Sequence, residues 1–147
     1  MAPLVGSGLW FGSSNGRGIF ALGNTTVTTN IYTYSSNGVT TGTSLAATLY
    51  KGSAAGNSTL GIFALGYTTT ATNIYTYSSN GVTTGTSLTA TSYAGAAAGN
   101  STIGIFALGN TTATNIYTYS SNGVTTGTSL TATLYAGAAA SSTPGGF

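Results

Sequence analysis

The strongest constraint on this chain is that it says the same thing three times. The hexapeptide GIFALG occupies residues 18–23, 61–66 and 104–109, and the sixteen-residue string NIYTYSSNGVTTGTSL occupies 30–45, 73–88 and 115–130. The first block recurs every 43 residues; the second recurs after 43 and then 42, because the third copy has one residue fewer between its blocks. Tandem repetition on this scale means one supersecondary unit that cannot bury its apolar face alone and is stabilised by its neighbours.

Within one unit the residues read as strands. GIFALG is a short apolar run between glycines, the pattern of a buried strand. Residues 25–29 are a polar loop or the start of the next strand. Ile31 to Tyr34 is β-branched and aromatic and reads as a second strand, with Tyr32 and Tyr34 on one face. Asn37-Gly38, repeated at Asn80-Gly81 and Asn122-Gly123, predicts a tight hairpin of type I′ with positive φ at both central residues. Val39 to Leu45 is then the returning strand, with Val39, Thr41, Thr43 and Leu45 on one face. The last run, 49–56 with copies at 92–99 and 134–141, consists of very small residues. Alanine favours helix, but glycine recurs in the run and no apolar stripe at helical spacing accompanies it, so strand is the reading. Four short strands in about 43 residues is the size of a propeller blade. A β-solenoid is the rival, although its coils are usually half as long and the halves of this unit do not repeat each other.

Composition removes most chemistry. The 147 residues include two charged side chains, Arg17 and Lys51, and no Asp, Glu, His or Cys. General acid-base catalysis near neutral pH draws mainly on those missing types, and a Ser or Thr nucleophile has no base to activate it. Zinc, transition-metal and calcium sites likewise lack their ligands. The expectation is a non-catalytic protein with no cofactor and no metal. Two isolated cations do not neutralise a phosphate backbone, so no nucleic-acid partner is expected. No apolar run approaches the length of a membrane span, and the first residues show no secretory signal. A chain this neutral and this rich in β-formers associates readily through edges and faces, which points to a protein that lives assembled.

The order of the blocks resembles the kelch repeat. Leu49 to Gly56 looks like its first strand, 61–66 like its second, Asn73 to Tyr77 like its third and Gly81 to Leu88 like its fourth. The likeness runs from about Gly18 onward. The kelch glycine pair is reduced to Leu-Gly followed by Asn24, Tyr67 or Asn110, and the fourth-strand Trp is missing in all three copies. The chain looks most like the Gly- and Thr-rich kelch-like arrays of bacterial and phage surface proteins. That resemblance implies an all-β fold of three propeller blades, and a location on a virion or a cell surface. The copper chemistry of kelch oxidases does not carry over, because its His and Cys are absent.

The chain divides into a diverged N-terminal segment (1–17), three repeats (18–60, 61–103 and 104–137) and a tail (138–147). Three blades do not make a ring, since propellers close with about four to eight. The expectation is that two copies close head to tail into a six-bladed propeller. Leu134 and Tyr135 in the C-terminal first-strand motif would complete the first blade of the next copy. Trp10 and Phe11 would anchor that contact as buried aromatics or else plug the core. Candidate ligand contacts fall where the repeats differ, at Asn24, Tyr67 and Asn110 in the loop after the second strand, since loops at one end of such a scaffold carry binding. Two functions follow. The first is a structural subunit of a phage virion, tail fibre or surface assembly, with itself or other surface proteins as partners. The second is a lectin-like module for cell-surface glycans. A consensus-repeat design and ice binding through Thr-x-Thr rows are weaker readings, opposed by the irregular ends and by blade twist.

Overall fold

A computed structural model describes residues 16–141. Among them every regular element is a strand, and all strand pairs are antiparallel. The first sheet contains β1 (Arg17–Ala21), β2 (Thr29–Thr33) and β3 (Gly38–Gly42) in that order. The second contains β4 (Ser53–Gly56), β5 (Leu60–Ala64), β6 (Thr72–Thr76) and β7 (Gly81–Gly85). The third contains β8 (Ala96–Gly99), β9 (Ile103–Ala107), β10 (Thr114–Thr118) and β11 (Gly123–Thr126). Each sheet is a simple meander, and β4 packs against β8 and β9 of the sheet that follows it. There is no helix among the described residues, and hence none long and apolar enough to cross a membrane.

Strand alternation gives every sheet two different apolar faces. In the second sheet Phe63, Tyr75 and Val82 lie on one face and Ile62, Ile74 and Ala55 on the other, as the registers Gly61↔Tyr75↔Val82 and Ile62↔Ile74 require. The Phe-Tyr face meets Ile19 and Ala21 of the first sheet, together with Leu45 and Leu49. The Ile face meets Phe106, Leu108, Tyr117 and Tyr119 of the third sheet, together with Leu88. Each interface therefore sets an Ile-Ala face against a Phe-Tyr face, and the same pairing is made twice.

Glycine makes the close approach possible. A Cβ on Gly42 would lie 2.6 Å from the Tyr75 hydroxyl, and one on Gly85 would lie 2.5 Å from that of Tyr117. Both tyrosines belong to the next sheet, so the last residue of the outer strand must be bare where the following unit lands on it.

The turn between the second and third strands differs from the sequence expectation. The loop holds four residues, 34–37, 77–80 and 119–122, and positive φ occurs at Asn37, Asn80 and Asn122 but not at the glycines that follow. The type I′ hairpin is therefore replaced by a longer loop that needs one left-handed residue, which asparagine tolerates well. A tyrosine hydroxyl donates to that asparagine's side chain, Tyr75 to Asn80 and Tyr117 to Asn122, which holds the loop open. The returning strand also stops early, at Gly42 rather than Leu45. Beyond Gly42 the chain leaves the sheet as a connector, so Leu45 does not share a face with Val39. Leu45 is 4% exposed against the second sheet, whereas Val39 is 59% exposed on the opposite side. The copy of the small-residue strand at 138–141 forms no strand.

Candidate functional site

Two features outside the core carry functional potential: the open faces at the two ends of the stack, and a row of tyrosines along the connectors.

The connectors are built from local pairing. Leu45 N–H donates to Val27 O (2.9 Å) in its own sheet, and Tyr50 N–H donates to Leu65 O (3.0 Å) in the next. Leu88 to Thr70 O (2.9 Å) and Tyr93 to Leu108 O (2.8 Å) repeat that path. Side chains then lock consecutive sheets. The Asn73 side-chain oxygen accepts from Ala46 N–H (2.8 Å), and that of Asn115 accepts from Thr89 N–H (2.8 Å). Asn73 and Asn115 are buried, and each amide group donates back to the carbonyl of the preceding threonine, so a buried polar group is satisfied at both ends. Thr43 and Thr86 donate in turn to the hairpin asparagines Asn80 and Asn122 of the next sheet.

At the two ends, among the described residues, the same positions have no neighbouring unit against them. Phe20 is 55% exposed, while its copies Phe63 and Phe106 are 4% and 0%. Leu22 and Tyr34 are exposed, while Leu65, Leu108 and Tyr119 are buried. At the far end Leu130 is 39% exposed, against 4% for both Leu45 and Leu88. Gly127 matches Gly42 and Gly85, but a Cβ there would meet only groups of its own sheet.

The tyrosine row runs Tyr50, Tyr67, Tyr93, Tyr135, with ring centroids 6.2, 4.7 and 6.4 Å apart. Lys51 sits in it: its ammonium donates to the Tyr93 hydroxyl at 2.7 Å and lies 4.3 Å from that ring's centroid and 5.5 Å from that of Tyr50. The hydrogen bond to Tyr93 pushes the Lys51 pKa up, and the same bond pulls the Tyr93 phenol down. Lys51, Ala94 and Ala136, at one position of the repeat, all have positive φ.

Of the sequence-predicted ligand residues, Tyr67 joins this row and is half exposed. Asn24 and Asn110 occupy the same loop position but serve as left-handed turn residues, their N–H groups donating to Leu49 O and Leu134 O at 2.7 Å. Tyr135, expected to anchor a neighbouring copy, is 70% exposed beside Tyr93, and Leu134 is half-buried with its N–H on Thr111 O of its own sheet. Trp10 and Phe11 lie outside the described residues. Sequence reading missed Tyr50, Lys51 and Tyr93. Their signal was a tyrosine at one fixed place in each repeat.

No protein-family model matches the chain, and no curated protein matches it either.

A third observation concerns Tyr119. It is 6% exposed, and no group among the described residues hydrogen-bonds its hydroxyl. Burial drives its pKa to about 12, and burial also raises those of Tyr77 and Tyr117. Folding thus favours the neutral phenol. The corresponding stability is complete below the ordinary value of about 10 and is lost as pH rises from there through about 12. Tyr119→Phe is expected to leave stability unchanged or raise it by up to ~1 kcal/mol at pH 7, since no hydrogen bond is lost. It should also flatten the fall in melting temperature between about pH 10 and 12. Thermal melts of both proteins across that range check this; a variant markedly less stable at pH 7 would mean the hydroxyl has a partner.

Proposed function

We propose that this chain is a non-catalytic structural repeat protein whose units are kelch-like propeller blades, and that it works assembled with copies of itself. The observation that carries the reading is the contrast at one repeated residue, Phe20 at 55% exposure against Phe63 and Phe106 at 4% and 0%. The opposite end is open in the complementary sense, with Leu130 uncovered. A Phe-Tyr face at one end and an Ile-Ala face at the other fit each other head to tail, because the molecule already makes that pairing twice within itself. Two copies joined at both junctions form a six-bladed closed ring and leave no open sheet.

Continuing the internal contacts across the junction specifies the bonds. Thr128 of one copy donates to Asn37 of a second, as Thr43 and Thr86 do to Asn80 and Asn122. Thr131 N–H donates to Asn30, as Ala46 and Thr89 do to Asn73 and Asn115. The absence of Asp, Glu, His and Cys supports a role without chemistry. The resemblance to surface arrays supports a place in a phage virion, tail fibre or cell-surface layer. Native mass spectrometry tests the reading. The expected species has twice the 14.4 kDa chain mass. Phe20→Asp should shift it to monomer, because a carboxylate has no partner inside an apolar junction. A wild-type protein that is monomeric at tens of micromolar overturns the assembly.

A further inference from the structure

The side chains of the tyrosine row make none of the junction bonds named above, and its one cation is unusual. Lys51 is one of two charged side chains in a sequence with no Asp or Glu. No side chain of the protein can therefore serve as its counter-ion. The ammonium is instead positioned by neutral groups, the Tyr93 hydroxyl at 2.7 Å and the two flanking rings. One of its three protons is taken by Tyr93, and two remain to be given to a ligand. Beside it lies a shallow cleft of about 340 Å³ lined by Lys51, Tyr93 and Tyr135 and by the glycines Gly52, Gly95 and Gly137. That volume falls at the lower end of the ~300–1,000 Å³ typical of small-molecule sites.

We propose that this cleft binds an acidic sugar, with its carboxylate on the Lys51 ammonium and the C–H face of its pyranose ring on the exposed ring of Tyr135. Phenol rings offer both an apolar face and a hydroxyl that donates and accepts, which suits a ring carrying hydroxyls on its rim. Repeat symmetry also places the site once per chain, because the positions equivalent to Lys51 are Ala94 and Ala136. The ligand is thus recognised where the repeats depart from one another.

Isothermal titration of the full-length protein with trigalacturonate, with maltotriose as the neutral comparison, tests the site. Trigalacturonate is expected to bind at least about tenfold more tightly than maltotriose, and Lys51→Gln should remove about that factor, the worth of one charge-assisted hydrogen bond. Tyr135→Ala should weaken binding about fivefold without moving the urea midpoint, as the residue is 70% exposed. Four results would each overturn the proposal: no binding of trigalacturonate, equal affinity for the neutral sugar, unchanged affinity in Lys51→Gln, or a triglutamate peptide bound as tightly. Native masses of the same samples report separately on the assembly.

Discussion

Phe106→Ala is expected to cost about 3–5 kcal/mol, the range for deleting a fully buried phenylalanine. The phenyl ring of Phe106 is 0% exposed and lies 6.4 Å from the Tyr117 ring, between the second and third sheets. Among the described residues the third sheet packs against one other sheet, and the void opens at that junction. The same substitution at Phe20, which is 55% exposed, should cost less than about 1 kcal/mol in the isolated chain. Its effect should appear in the association constant, since Phe20 is the residue the junction would bury. Urea unfolding of both variants at low protein concentration, where association is absent, makes the comparison. Equal losses at the two positions would mean that Phe20 is covered within the monomer.

Gly66→Ala is expected to destabilise by about 3 kcal/mol, combining steric strain in a right-half conformation with overpacking. Gly66 has φ of 102°, and a Cβ there would collide with the carbonyl oxygen and carbon of Tyr50 and with Gly52 N. Those atoms belong to the parallel bridge that ties the connector to the loop, where Tyr67 N–H donates to Tyr50 O at 2.9 Å. Backbone cannot rotate away as a side chain can. Gly23 occupies the same place in the first unit with φ of 69°, and its Cβ would stop 3.0 Å from Leu49 O. Gly23→Ala should therefore cost only about 1–2 kcal/mol, mostly the left-handed backbone. Melting curves that rank the two substitutions the other way would show that the bridge is not what holds the connector.

Much of the fold was legible because strand signals are local. GIFA and NIYT fall on strands in all three units, the small-residue run does so at 53–56 and 96–99 but not at 138–141, and the unit of four strands in about 43 residues holds in the second and third sheets. The hairpin was misread because Asn-Gly is judged by its own two residues. Its loop is instead tied in all three units by a tyrosine hydroxyl five residues upstream, which a two-residue motif does not show. Leu45 was placed on the wrong face for a related reason. Alternation holds only while a strand lasts, and no two-residue motif marks Gly42 as the exit; a Cβ at Gly42, Gly85 or Gly127 would meet the hydroxyl of the threonine across its own sheet, Thr29, Thr72 or Thr114. The tyrosine row lay further out of reach. Its members stand up to 85 positions apart in the chain and meet only because the connectors stack at a common height. All three candidate ligand residues were named from the loop where the repeats differ; there Tyr67 joins the tyrosine row, while Asn24 and Asn110 are left-handed turn residues.

The junction between the first and second sheets and that between the second and third use equivalent residues. Sheet number is then a modular variable. Unequal recombination that inserts or deletes one 43-codon block would add or remove a wedge without requiring any new surface to evolve. A lineage carrying such a gene could lengthen or shorten its stack of sheets in a single genetic step, long before any loop had time to diversify.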